Sequence, residues 1–297
     1  MPFLGELSAL TTAILWSGTS IVFSSATRRV GAMQVNITRL FLALIFLAVS
    51  IAVIGAPVNV SAEQLVLLAV SGVIGLTFGD TFLFLAFKEC GARISMLVMA
   101  SAPAMSAVLA WMFLGEALSF WGVTGMGITL AGIVGVVVER REAGEQPHGR
   151  VTRRGVFYAF LGALGQAVGL IFAKLAFNLG DVHGFVASFT RIGAAVVSLL
   201  PIIVFTPWYP NPFRVFRHDP RALTLTAVGA VIGPYLGITF SLISIQHTDV
   251  AIAATIMATP PILMLPMVRL VYKEQLSWRA VAGAFIAVAG VAVLFLR

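Results

Sequence analysis

The residues in this chain most able to do chemistry are ionisable side chains set in apolar surroundings. Asp80 stands in GLTFGDTFLFLAF, about eight residues from the nearer end of its apolar run. Arg39 in NITRLFLAL and Arg191 in SFTRIGAAV each lie about six or seven residues into theirs. A charge at such depth in a bilayer costs roughly 2.5–3.5 kcal/mol on insertion scales, so each needs a partner, a water-filled cavity or a task. For Asp80 the task would be carrying a proton as a coupling group; the alternative is an ion pair or helix-to-helix hydrogen bond that only packs the bundle. For Arg39 and Arg191 the task would be gating, with bidentate geometry for a carboxylate or other anion. Their plainer reading is snorkelling to the headgroups, since six residues of helix rise only about 9 Å.

A second set of residues suits a central substrate cavity. Trp16 and Ser20 lie midway along one run, Gln166 midway along another, and Thr77, Tyr235, Thr239, Ser101, Thr255 and Thr259 at similar depth in four more. Small polar and aromatic groups of this kind hold an amphipathic solute, but singly they also serve as interhelical glue. Pro103 in MASAPAMS and the pair Pro260 and Pro261 in MATPPILM predict helix bends, because proline removes an amide and clashes with the preceding turn. Rows such as Gly72, Gly75, Gly79 and Gly229, Gly233, Gly237 permit close backbone approach. Gly125 with Gly132, and Gly283 with Gly290, read as scaffold or as a homodimer contact, and Ser119 as a helix N-cap.

The elements that must position these groups follow from composition. With 297 residues, 59% hydrophobic and 10% charged, the chain departs from soluble domains, which carry about 25% charged residues. The partner it requires is a lipid bilayer. Apolar runs fall at about 4–26, 33–54, 63–87, 92–114 and 120–138, and again at about 155–177, 184–206, 222–245, 250–270 and 278–296. Their length and lack of period-2 alternation argue for helices over barrel strands. The expected fold is thus an all-α membrane protein of ten transmembrane helices, with a first repeat at 1–138, a hydrophilic linker at 139–154 and a second repeat at 155–297.

Sliding the halves by 158 residues places Gly75 on Gly233, Gly79 on Gly237, Pro103 on Pro261, and GEALSF (115–120) on KEQLSW (273–278). Polar residues coincide along with apolar ones, and an odd number of helices per half predicts an inverted repeat, the plan of secondary transporters. Asp80 meets Ile238 in this register, so the acid belongs to one half only.

Fourteen of the nineteen Lys and Arg residues fall in connections on one side, including those of the 139–154 linker. The positive-inside rule then puts the linker in the cytoplasm and both termini outside it. The net charge of +7 is too scattered to suggest nucleic acid. The single cysteine, Cys90, excludes an intrachain disulfide. The four histidines lack metal-ligand spacing, and no Walker loop, nucleophile elbow or dinucleotide fingerprint appears, so neither an enzyme, a metal nor a cofactor is expected.

The closing patterns SAPAMSAVLAWMFLGEALSFWGVTGMGITLAGIVGVV and ATPPILMLPMVRLVYKEQLSWRAVAGAFIAVAGVAVL, with an Arg early in each second helix, resemble the EamA family of the drug/metabolite transporter superfamily over nearly the whole chain. The resemblance implies a secondary transporter of a prokaryotic cytoplasmic membrane, an exporter of amino acids or other small metabolites, rocking its halves about a central cavity. It also places Arg39, Arg191, Glu116 and Glu274 at family motif positions. Most relatives keep both termini inside, against the charge count. A lipid or lipid-linked head-group flippase is the alternative within the superfamily, and a nontransporting scaffold would need neither Asp80 nor the paired prolines.

Overall fold

The computed structural model describes residues 3–117, 119–142, 152–205, 209–260, 262–263 and 278–295. Within these the chain is helical, with no strand among the described residues. In the first half α1 spans Leu4–Val30, α2 Ala32–Ile54 and α3 Ala62–Gly72; a π-helical segment, Val73–Gly79, leads into α4, Asp80–Met99, followed by α5, Ala102–Leu114, and α6, Phe120–Glu142. In the second half α7 spans Arg153–Asn178, α8 Gly184–Phe205, the short α9 Pro212–His218 and α10 Pro220–Ala230. A second π-helical segment, Val231–Gly237, leads into α11, Ile238–His247, then α12, Val250–Met257, and α13, Trp278–Phe295.

Among the described residues five helices are long and apolar enough to cross a membrane: Met33–Ile54, Ala62–Ala86, Arg153–Asn178, Gly184–Phe205 and Pro220–His247. Most of the expected runs coincide with helices, and the exception has a physical cause. The turn expected at 88–91, between the runs 63–87 and 92–114, is helical instead, and the break falls at 100–101. Lys88, Glu89 and Gly91 are tolerated inside a helix, whereas Pro103 has no amide to give and sits in the first turn of α5, where none is required. Pro103 therefore starts a helix rather than bending one. At the equivalent place α12 ends at Met257, the break falls at 258–259, and Pro260 opens the next helical residues. Pro261 lies outside the described residues.

The two halves share local geometry at the offset of 158. α3 and α10 start and stop at equivalent residues, and both continue into seven-residue π-helical segments that are also equivalent. Ser61 caps α3 by accepting from the Gln64 amide, and Asp219 caps α10 by accepting from the Ala222 amide. A π turn inserts an extra residue into the helical ladder and leaves backbone groups unpaired by the usual i to i−4 pattern. Pro234 lies within the second segment, where the widened turn accommodates its ring; Leu76 holds its place in the first.

Each π segment packs on the first helix of the other half. A Cβ at Gly165 on α7 would lie 2.8 Å from Gly79 Cα, so only two glycines allow this approach. In the mirror arrangement Gly233 faces Thr19, and Gly237 faces the Trp16 indole at 2.5 Å from its own would-be Cβ. On α6 and α13, a Cβ at Gly132 would fall 2.5 Å from Ala287 N, so this glycine packs within the chain, the scaffold reading of the pair. Ser119 caps α6 through the Gly122 amide at 3.1 Å, as expected.

Candidate functional site

The π segment Val73–Gly79 places Asp80 at the start of α4, where its amide bonds back to the Gly75 and Thr77 carbonyls. Its carboxylate is spanned by both halves of the chain. Arg39 Nη2, from α2, donates to Asp80 Oδ2 at 2.6 Å, and Gln166 Nε2, from α7, donates to Oδ1 at 2.8 Å. Gln166 Nε2 also reaches the Gly75 carbonyl at 3.2 Å, fastening α7 to the π segment itself. Both charged side chains of the pair are largely buried, 13% and 10% exposed.

Arg39 is held from three further directions. Its Nε donates to Asn36 Oδ1 at 3.0 Å, and its guanidinium lies over the Phe23 and Phe84 rings, 5.2 Å from each centroid. A desolvated cation over an aromatic face gains up to about 2 kcal/mol. This replaces the snorkelling reading of Arg39 and gives Asp80 the ion pair that the sequence allowed as its alternative. The cause is directional: side chains on α2 and α4 that face each other inside the bundle pair at lower cost than either could reach water.

Arg191 on α8 sits beside this pair without joining it. It is 2% exposed, and its charge acts on Asp80 electrostatically without a hydrogen bond. The guanidinium occupies a space left by glycines: a Cβ at Gly75 would lie 2.6 Å from Nη2, and one at Gly169 3.2 Å from it. Gly72 is closer still, against the Arg191 backbone carbonyl oxygen. Snorkelling therefore fails for Arg191 too, since its side chain turns into the bundle.

The other expected cavity residues divide. Thr77 Oγ1 bonds Ser198 Oγ at 2.6 Å and the Ala195 carbonyl at 3.2 Å, tying the π segment to α8 next to Arg191. Tyr235 belongs to a separate aromatic group: its hydroxyl meets Ser50 Oγ at 2.7 Å, its ring stacks on Phe185 at 5.8 Å, and Phe46 meets it edge-on. Trp16 packs against Gly237 on the second π segment. Ser101, Thr239, Thr255 and Thr259 each donate to a backbone carbonyl three or four residues back. Those hydroxyls satisfy themselves locally and do not converge on Asp80. The Ser20 side chain lies outside the described residues.

Sequence reasoning missed Asn36, Phe23, Phe84 and Ser198 as parts of the site. Only Asn36 carried a signal, standing three residues before Arg39 and so on the same helical face.

A second polar cluster closes one end of the bundle. Lys174 Nζ, near the end of α7, donates to the Ile245 and Thr248 carbonyls at 2.6 and 3.0 Å. Glu116 Oε2 accepts from the Val250 amide at 2.8 Å, capping α12, and Thr248 Oγ1 donates to Glu6 Oε1 at 3.2 Å. Two acids of the first half, Glu6 and Glu116, and a lysine of the second, Lys174, thus converge on the α11–α12 junction. At the opposite end of α1, Arg29 pairs with Asp219 at 2.8 Å. That pairing, with the Ala222 amide, holds the Asp219 carboxyl below its usual range.

Comparison with known proteins gives matches of three kinds. A model of the EamA-like transporter family matches residues 3–138 and 153–296. An uncharacterized transporter of Archaeoglobus fulgidus is 22% identical over 291 residues, covering 98% of this chain and 97% of that protein. A solved crystal structure, 21% identical, superposes with a TM-score of 0.77 over 99% of this chain and 96% of its own, a likeness of fold.

Proposed function

The chain belongs to the EamA-like transporter family, and from that premise we propose a secondary transporter that exports amino acids or other small metabolites by alternating access, with Asp80 as its proton-coupling group. Ten spans in two inverted halves, 1–138 and 155–297, rock about the buried junction where Asp80 meets Arg39 and Gln166. The observation that carries this reading is the junction itself: one carboxylate accepts from an arginine of the first half and a glutamine of the second. Protonating that carboxylate removes its charge, loosens the hold on Arg39 and leaves Gln166 with a weaker acceptor. A proton thereby acts on the contact between the halves, which is what coupling requires.

The test needs no known substrate. In a Cys90→Ser background, single cysteines replace Gly31, between α1 and α2, or Gly115, after α5. Maleimide labelling of each in proteoliposomes is then compared at pH 6 and pH 8. We expect opposite pH dependence at the two positions, abolished by Asp80→Asn. Equal labelling at both pH values, or a pH response that survives Asp80→Asn, overturns the coupling role. Flux measured by counterflow with a panel of amino acids then addresses the substrate directly.

A further inference from the structure

We propose that Arg191 is the anion-binding group of the transport site, and that the solute it takes carries one carboxylate. The inference rests on the transport reading above and adds the charge of the cargo.

The first ground is an arginine without an answering group. Among the described residues Arg191 makes no hydrogen bond and no ion pair, and its Nε is buried with no partner. One turn earlier on α8, Ser188 Oγ is likewise buried and without a partner. Buried polar groups are nearly always satisfied, and those that are not mark strain, function or an absent ligand. Here two of them stand three residues apart on one helix, so they share a face.

The second ground is charge. Two guanidiniums and one carboxylate meet at this junction, and both carboxylate oxygens are already engaged, Oδ2 by Arg39 and Oδ1 by Gln166. One buried positive charge remains. A buried cation left uncompensated is costly, so the site favours whatever brings a single negative charge. A solute with no negative group leaves that charge unanswered, and a dianion overshoots it.

The third ground is shape. Glycines at 75 and 169 leave room for the guanidinium against the π segment, where a Cβ at Gly75 would stand 2.6 Å from Nη2. The free Nε edge is one of those through which a guanidinium grips a carboxylate with two parallel hydrogen bonds. The Ser188 hydroxyl supplies a further donor from the same face.

The experiment uses the full chain in lipid nanodiscs, its thermal unfolding followed with pairs of probes differing in charge and little else: acetate against acetamide, and benzoate against benzamide and benzylamine. We expect at least one acid to raise the unfolding temperature where its amide and amine do not. Arg191→Gln should weaken that acid about tenfold or more. Arg191→Lys, which keeps the charge and loses the fork, should retain part of the effect. No acid-over-amide difference for either pair, or an equal difference in Arg191→Gln, overturns the proposal. Sulfate acting as well as the best acid overturns the carboxylate assignment. Acid selectivity that depends on Arg191, without pH-dependent cysteine labelling, would preserve the anion site and sink the coupling role; the reverse result would sink the anion site alone.

Discussion

Neutralising the three buried charges one at a time should produce an order of stability that no count of hydrogen bonds would give. Asp80→Asn is nearly isosteric, yet it leaves Arg39 and Arg191 buried together with no anion between them. Removing one partner of a buried pair costs about 3–5 kcal/mol, because the remaining charge is stranded. The field between unit charges 4 Å apart, about 4 kcal/mol at an effective dielectric near 20, is of the same size. Arg39→Met strands Asp80 less completely, since the Gln166 amide still donates at 2.8 Å and the Arg191 charge remains nearby. A loss of about 1–3 kcal/mol is expected. Arg191→Met removes a surplus cation and should be neutral or stabilising, as replacements of buried ions by apolar groups of similar volume often are.

The sharpest comparison is the double variant. Adding Arg39→Met to Asp80→Asn removes a stranded cation, so the pair should be more stable than Asp80→Asn alone. Reversible unfolding in mixed micelles titrated with dodecyl sulfate and followed by circular dichroism measures the four variants and the wild type near neutral pH. Asp80→Asn within about 0.5 kcal/mol of wild type, the usual range for inconsequential surface changes, would refute the reasoning. So would Arg191→Met as the most damaging single change, or a double variant weaker than Asp80→Asn.

Three further outcomes follow from the packing and the ends of the bundle. Gly72→Ala drives a Cβ into the Arg191 backbone, which cannot yield, and should lose about 1–3 kcal/mol in the same assay. Gly75→Ala meets only the mobile guanidinium end and should lose less, so equal losses would contradict the geometry. Glu116→Ala uncaps α12 at the Val250 amide and should cost about 0.5–2 kcal/mol, with Glu116→Gln recovering part of it. Asp219 has its carboxyl held low by Arg29, so its contribution is present above the ordinary carboxylate value of 3.8 and fades as pH falls below it. Stability measured from pH 6 down to pH 2.5 should therefore fall less steeply in Asp219→Asn than in wild type, and parallel curves would remove this contribution.

The helices were legible because apolar runs of span length have few other uses, and the offset of 158 because polar residues repeated with apolar ones. The caps of α3 and α10 fall at that offset, as do both π segments and the breaks at 100–101 and 258–259. The π turns themselves were not legible, since Gly75, Gly79, Gly233 and Gly237 signal close approach equally well in a regular helix. Nor was the pairing of Arg39 with Asp80, 41 residues apart, because periodicity reports which face a residue occupies and not which helix that face meets. Hydroxyls misled for a related reason. A serine or threonine inside a helix always has a carbonyl of the preceding turn within reach, so depth alone does not aim it at a cavity.

The scaffold is repeated and the acid is not. The first π segment delivers Asp80 onto Arg39 and Gln166, while the second delivers Ile238, 7% exposed, into the apolar core. An acid needed only to pack a helix against its neighbour would serve equally at either place, because the same π turn packs on the first helix of the opposite half in both. The apolar member shows that such packing is achieved without a carboxylate. What the second half contributes instead is Arg191 and Gln166, the groups that reach toward the first half's acid. Each half thus holds part of one unsymmetrical charge cluster, so a movement of one half against the other would change the electrostatics of that cluster as a direct geometric consequence. The Arg39–Asp80 pair alone, confined to the first half, would travel with it as a rigid unit; Gln166 and Arg191 are what tie it to the second.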